Sequence, residues 1–207
     1  KDNVQYFLHY SGERDCLILA GADPLAFRLA HIGEPRLAAV LRRVGEIAAW
    51  GDPPASSEGR RTGRGVACGI YKQTGFAAAV ADVAVDPRGH VQVTRLWCAH
   101  ECGLVINPDQ VRAQCEGNLV WGLGMVLSDT LPLKHGRVSA ETFADAPIPR
   151  LGEVPPIRVE LIQSNDPPSG AGETAIVAGP GAIANAIRAA TGRRPSRFPV
   201  RAEDLVA

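Results

Sequence analysis

The stretch DPPSGAGETAIVAGPGAIANAI, from Asp166 to Ile187, has a single ionisable side chain after its opening aspartate, the carboxylate of Glu173. Only glycine and alanine occupy positions 170–172, and an apolar segment follows. A carboxylate in a dry, glycine-lined pocket has its charged form disfavoured, so its pKa rises and it can exchange a proton near neutral pH. The pattern predicts that Glu173 is a general base. The alternative is a solvated glutamate near the start of a helix.

Cysteine and histidine side chains form a second group with chemical potential. Cys98, His100 and Cys102 in the segment WCAHEC would share one face of a strand, but the outer two would lie ~13 Å apart. One tetrahedral zinc ion needs every ligand within ~2.3 Å, so we expect no metal site here, with a two-ligand site at a sheet edge as the alternative. Cys115 could be a nucleophile only beside a base such as His100 or His135, which would make the protein a cysteine-dependent hydrolase.

The elements that must position these groups can be read from apolar spacing and from capping residues. Four helices are predicted, beginning at Asp23–Pro24, Pro35, Asn107–Pro108 and Gly179, with the second stopped by Gly51 and the last by Gly192. Strands are predicted at residues 76–86 and 90–100, joined as a hairpin by the turn DPRGH, and at residues 155–164. The glycine- and proline-rich residues 51–65 are predicted to be a loop. Helices and strands mix without strict alternation, which predicts an α+β sandwich with an antiparallel component.

Three glycines interrupt the third predicted helix. Gly117, Gly122 and Gly124 would each cost ~1 kcal/mol relative to alanine in a helix interior. We therefore expect another backbone, or a ligand, to approach this helix closely.

Composition excludes several classes of protein. Among 207 residues, Lys plus Arg and Asp plus Glu are both 22, so nothing favours a nucleic acid as the main partner. No uninterrupted apolar run approaches the ~18 residues of a membrane span. Five cysteines without a regular framework argue against a fold built on disulfides.

Three blocks of sequence, taken in order, resemble a known family. They are ECGLVINPDQVRAQCEGNLVWGLG, FADAPIPRLGEVPPIRVELIQSNDPPSGAGE and IANAIRAATGRR, and they are similar to the large, molybdenum-binding subunit of the xanthine dehydrogenase and aldehyde oxidase family, in particular its isoquinoline 1-oxidoreductase and aldehyde dehydrogenase branch. With ADPLAFRLAHIGEPRLAAVL and GRGVACGIY the likeness extends from Gly21 to Val200. It implies a fragment of an α+β molybdopterin-binding domain with a mixed sheet and packed helices. Residues 1–61 would be a helical lead-in and linker, and residues 62–207 the C-terminal molybdopterin-binding subdomain.

The resemblance also implies a reaction and a cofactor. Glu173 corresponds to the family's base beside the molybdenum, in an oxidoreductase that hydroxylates an aldehyde or N-heterocycle with water as the oxygen source. The cofactor would be molybdenum–molybdopterin, in its cytosine dinucleotide form. The positions that correspond to the family's cofactor contacts are Gln114, Gly117, Gly170, Ala171 and Gly172.

Family large subunits are several times longer than this chain, and the resemblance implies two protein partners. One is the upstream half of the large subunit, which would complete the cofactor site, and the other is a small subunit that carries iron–sulfur clusters. Asn118, Glu101 and Ala171 depart from the residues usual in the family. Asn118 and the need for an upstream half leave a second hypothesis, a catalytically inactive remnant that serves as a subunit-interaction module.

Overall fold

The structure is a computed structural model that describes residues 21–52, 54–55, 58–142 and 144–206. The first twenty residues of the predicted lead-in, including Cys16, lie outside the described residues.

The centre of the molecule is a mixed sheet of four strands. In chain order the strands are β1 (Arg61–Tyr71), β2 (Gly75–Val85), β3 (Val91–Glu101), β4 (Leu133–Lys134), β5 (Arg137–Val138) and β6 (Ile157–Leu161). β1, β2 and β3 pair antiparallel, and β6 pairs parallel to β3, which gives the order β1-β2-β3-β6. β4 and β5 form a small separate hairpin. The predicted α+β class with a mixed sheet is therefore confirmed.

In the described part of the chain, four helices pack around the sheet. They are α1 (Pro24–His31), α2 (Pro35–Ile47), α3 (Pro108–Leu127) and α4 (Gly179–Thr191), together with short 3-10 helices at Leu151–Glu153, Thr174–Val177 and Ala202–Asp204. The predicted N-caps are confirmed, since Asp23 accepts hydrogen bonds from Leu25 N and Ala26 N, and Asn107 accepts one from Gln110 N. Within the described ranges, no helix combines the length and the apolar content needed to cross a membrane.

The sheet has a core on each face. On one face, Leu37, Val40, Leu41 and Val44 of α2 pack against residues that include Val66, Val80 and Trp97. On the other face, α3 and α4 pack against the alternate residues of the same strands, through residues that include Cys115, Leu119, Ile183 and Ile187. All eleven residues of β2 are buried, as expected for a central strand covered on both faces.

The approach of α4 to the sheet depends on glycines in β1. A Cβ on Gly65 would lie 2.2 Å from Ala186 N and 2.4 Å from Ala182 O, and one on Gly63 would lie 2.4 Å from Ala190 N. The prediction of a loop over residues 51–65 is therefore wrong for residues 61–65, which form the first part of β1. These glycines signal close backbone contact with a helix, not a turn.

Two other predicted boundaries differ from the structure. α2 ends at Ile47, before the predicted Gly51, because Ala49 takes the left-handed conformation (φ 46°) and Trp50 N donates to Gly45 O at 2.9 Å. This is the Schellman arrangement, with alanine in the position that glycine usually fills. The third predicted strand is shorter than expected, since β6 covers only Ile157–Leu161.

The helical glycines of α3 have different neighbours. A Cβ on Gly122 would lie 2.9 Å from Pro180 Cδ in α4, and one on Gly124 would lie 2.6 Å from Asp129 Oδ1. Close approach by the chain itself therefore accounts for both. Gly117 has no heavy atom within 4 Å of its Cβ position, so it faces open space.

Candidate functional site

The loop that carries Glu173 is held against the chain that follows β3. Leu104 N donates to Asp166 O at 2.9 Å, and Ser169 N donates to Cys102 O at 2.8 Å. Gly103 has a positive φ of 78°, and a Cβ there would lie 2.2 Å from Pro167 O. Only glycine lets the loop lie this close to the backbone.

Asn118 joins this loop to α3. Its Nδ2 donates to Gly172 O at 2.7 Å and to Gln114 O at 2.6 Å, and its Oδ1 accepts a hydrogen bond from Ile176 N at 3.2 Å. Asn118 is only 5% exposed, and Ile176 N belongs to the first turn of a 3-10 helix, where backbone N–H groups need an external acceptor. Asn118 is therefore a structural clamp that fixes Gly172 and Glu173 relative to α3.

The predicted cofactor contacts lie on an exposed surface formed by α3 and the loop. A Cβ on Gly172 would lie 3.9 Å from Gln114 Oε1, so the amide of Gln114 borders the loop. Gly117 follows Gln114 by three residues on the same side of the helix, and both are exposed. Gly170 also has no heavy atom within 4 Å of its Cβ position, and Ala171 is half-buried. The structure brings Gln114 and Gly172 together, while the roles of all five residues stay predictions.

Glu173 itself is exposed, and the expectation of a dry pocket is therefore wrong for the described part of the chain. The residues before Glu173 have small side chains or none, so they cannot shield the carboxylate, and no described segment crosses above it. Its polar contact is with Tyr71 at the end of β1, whose hydroxyl donates to Glu173 Oε2. That hydrogen bond to the carboxylate, followed by burial and the negative charge of Glu173, raises the pKa of Tyr71.

Sequence reasoning did not identify Tyr71. It lies 102 residues from Glu173, and no spacing rule joins two residues that are this far apart. The block GRGVACGIY, which ends in Tyr71, was the one available signal.

Glu101, at the end of β3, anchors the same region. Its buried carboxylate accepts hydrogen bonds from Arg36 Nε at 2.5 Å and from Gly103 N at 2.8 Å. Burial opposes ionisation of Glu101, but these donors outweigh it and hold the pKa of Glu101 below its usual value. Arg36 also lies 3.4 Å from Asp166 Oδ2, so α2, the end of β3 and the start of the loop meet at one ion-pair network.

The cysteine and histidine residues lie in the core. Cys98 and Cys115 are fully buried, and the hydrogen bond between their thiols, together with burial, raises the pKa of Cys98. Burial leaves Cys115 without access to a substrate, which disfavours a cysteine-dependent hydrolase. His100 is also fully buried, with Nδ1 3.1 Å from Phe76 O. Among the described residues, no three His, Cys, Asp or Glu side chains are grouped to hold a metal ion.

A separate cavity of about 720 Å³ lies beside the end of α2 and is lined by Trp97 and Arg95. Its buried charges are paired, since Arg64 Nε lies 2.6 Å from Asp82 Oδ1. None of the predicted site residues lines this cavity, so it is distinct from the surface that carries Glu173.

Comparison with known proteins gives a consistent result. The molybdopterin cofactor-binding domain family matches residues 36–155. One nicotinate dehydrogenase subunit, from Pseudomonas putida, is 36% identical over 97% of this chain, which covers 18% of that protein. The beta subunit of isoquinoline 1-oxidoreductase from Brevundimonas diminuta is 34% identical over 87% of this chain, which covers 23% of that protein.

Solved structures agree with the sequence relatives. The crystal structure of quinoline 2-oxidoreductase from Pseudomonas putida superposes with a TM-score of 0.59 and 25% identity, over 63% of this chain and 18% of that one. The chain thus spans about a fifth of the length of these relatives.

Proposed function

Since this chain belongs to the molybdopterin cofactor-binding family of xanthine dehydrogenase and aldehyde oxidase molybdenum-binding subunits, we propose that it forms one wall of a molybdenum hydroxylase site. The enzyme would be an oxidoreductase that oxidises an aldehyde or an N-heterocycle, with water as the oxygen source. The names of the two sequence relatives support the heterocycle class, because nicotinate and isoquinoline are both nitrogen heterocycles.

The exposed surface of α3 and the loop fits a flat, polar cofactor. Gly117 and Gly170 leave open space where a side chain would otherwise stand, so a ligand can lie directly on the backbone. The exposed amide of Gln114 offers both a donor and an acceptor to a pterin ring. These features support Gln114, Gly117, Gly170, Ala171 and Gly172 as cofactor contacts.

When bound, the molybdenum cofactor supplies the redox chemistry and activates the water that becomes the product oxygen. Glu173 is the group of this chain that takes the proton in that reaction. The clamp at Asn118 holds its backbone beside α3, and the exposed carboxylate faces the side from which a cofactor would approach. Covering of this surface by the upstream half of the large subunit would exclude water, which favours proton transfer to a carboxylate.

Exposed apolar side chains near the start of α3 and along it are consistent with such a cover. Leu104, Ile106 and Trp121 are 48%, 74% and 49% exposed, and an unpaired apolar surface is typical of a contact with another part of a protein. The proposal also includes a small subunit with iron–sulfur clusters, through which the electrons would leave. It further includes the cytosine dinucleotide form of the cofactor, which nucleotide analysis of the released cofactor tests.

The single observation that carries the proposal is the attachment of the Glu173 loop to the helix that bears Gln114. The test uses the purified assembly that contains this chain, with molybdenum content and oxidation of aldehydes and N-heterocycles in heavy-oxygen water as readouts. We expect Glu173→Gln to lower kcat by about 100-fold or more, the range of general acid–base catalysis, while molybdenum content stays unchanged. Glu58→Gln, at an exposed position, is the matched control and should keep full activity.

Two results would contradict the proposal. One is an intact assembly without molybdenum. The other is a Glu173→Gln enzyme with wild-type kcat. A stable assembly that contains this chain but no molybdenum would favour the inactive subunit-interaction module.

A further inference from the structure

The turn between β1 and β2 has an unusual backbone. Tyr71 ends β1, and the next two residues, Lys72 and Gln73, have φ angles of 50° and 62°. Residues with side chains rarely adopt this left-handed region, but a tight β-hairpin turn such as type I′ requires positive φ at both of its central residues. The conformation turns the chain sharply directly after Tyr71.

This turn is attached to the loop that carries Glu173. Ser169 Oγ donates to Thr74 O at 3.0 Å, so the tip of the hairpin and the loop are joined. A Cβ on Gly75 would lie 2.8 Å from Thr174 Oγ1, and Thr174 directly follows Glu173. The turn therefore contacts the loop on both sides of the carboxylate.

The Tyr71 side chain spans the space between the core and the carboxylate. Its ring packs against the core on the face of α3 and α4, and its hydroxyl donates to Glu173 Oε2. Lys72 Nζ lies 5.1 Å from the centre of the ring. With Oε2 occupied by this donor, Oε1 is the carboxylate oxygen that is left to accept a proton.

We propose that Tyr71 is a positioning residue, which holds Oε2 of Glu173 and presents Oε1 as the proton-accepting atom. The inference rests on the proposed function of Glu173 as the base.

The first test compares Tyr71→Phe with the wild type in the assembly that contains this chain. We expect kcat to fall by about tenfold, as for loss of one hydrogen bond to a charged group, with KM unchanged. A wild-type kcat in Tyr71→Phe would overturn the inference, and Lys134→Met, at an exposed position in β4, is the control that should keep full activity.

A second test does not depend on turnover. The cofactor-free chain is labelled with isotopic tyrosine, and the NMR signal of Tyr71 is identified as the one that is absent in Tyr71→Phe. The change of this signal with pH then gives the titration of Tyr71. Glu173→Gln should bring the pKa of Tyr71 down towards its ordinary value, and Glu58→Gln should not change it. An identical titration of Tyr71 in the wild type and in Glu173→Gln would overturn the inference.

The two proposals fail in distinguishable ways. If Glu173→Gln is inactive while Tyr71→Phe keeps the wild-type kcat, the role of Tyr71 is wrong and that of Glu173 stands. If Glu173→Gln turns over normally, the proposed function fails, whatever the Tyr71 titration gives.

Discussion

Replacement of Asn118 by leucine tests the clamp between α3 and the loop. Leucine is similar in size but has neither the donor nor the acceptor that asparagine uses here. The backbone groups that Asn118 contacts differ in how much the loss of this hydrogen bond costs them. Gly172 is exposed, so its carbonyl can bond water, and Gln114 O lies in a helix, where it also serves as a backbone acceptor.

The N–H of Ile176 determines how much the free energy of unfolding falls. Ile176 is 2% exposed, and a buried donor without a partner costs about 1–3 kcal/mol, to which a lost hydrogen bond adds about 1 kcal/mol. We therefore expect Asn118→Leu to lower the free energy of unfolding by about 2–4 kcal/mol. For a domain of this size that corresponds to a fall in Tm of roughly 4–16 °C.

The assay is urea denaturation, with amide hydrogen exchange of Ile176 as the local probe. Glu116→Leu, at an exposed position on the same helix, is the matched control and should change stability by less than about 0.5 kcal/mol. Asn118→Asp adds a second test, because a carboxylate would face the carbonyls of Gly172 and Gln114 at neutral pH, whereas the protonated acid regains a donor. Its destabilisation should be smaller at low pH.

The reasoning would be refuted if Asn118→Leu matched the wild type in both stability and exchange at Ile176. It would also be refuted if Asn118→Asp were equally destabilised at low and at neutral pH.

Two further predictions concern the core. Gly65→Ala should lower the free energy of unfolding by at least about 3 kcal/mol, because its Cβ would meet backbone atoms of α4 at 2.2 Å and these cannot move without the helix. The control is Gly33→Ala, whose Cβ meets nothing within 4 Å. It should change the free energy of unfolding by less than about 1 kcal/mol. Equal stability of the two variants would contradict this. Burial lowers the pKa of His100 to about 4 in the folded protein, compared with about 6.5 in the unfolded chain. The contribution of His100 to stability is therefore complete above about pH 6.5 and is lost as the pH falls towards 4. Denaturation of the wild type at several pH values should show that its free energy of unfolding falls by up to about 3 kcal/mol across this window. The same pH dependence in a His100→Gln variant would exclude His100 as the cause.

Features that depend on neighbours along the chain could be predicted from the sequence. The β2–β3 hairpin, the N-caps Asp23 and Asn107 and the stop at Gly192 are local, and the structure confirms them. β1 was missed because the reason for its glycines lies in α4, more than a hundred residues away. A turn and a close helix contact both favour glycine, and the sequence alone does not distinguish them.

The candidate site also has features that could be predicted from the sequence and features that could not. The glycine and alanine residues beside Glu173 predicted a dry pocket, but the sequence does not say which segment covers the carboxylate. Exposure depends on tertiary structure, and here it is the opposite of what the flanking residues suggested. The contact with Tyr71 depends equally on how the β1–β2 turn meets the loop.

The glycines of β1 have a consequence for how this chain can vary. Position 65 has no smaller residue to change to, so every substitution there pushes α4 outwards from the sheet. α4 begins one residue after the 3-10 helix Thr174–Val177, which itself begins directly after Glu173. A methyl group added at position 65 would therefore displace α4 and, through this short connection, the segment that carries Glu173.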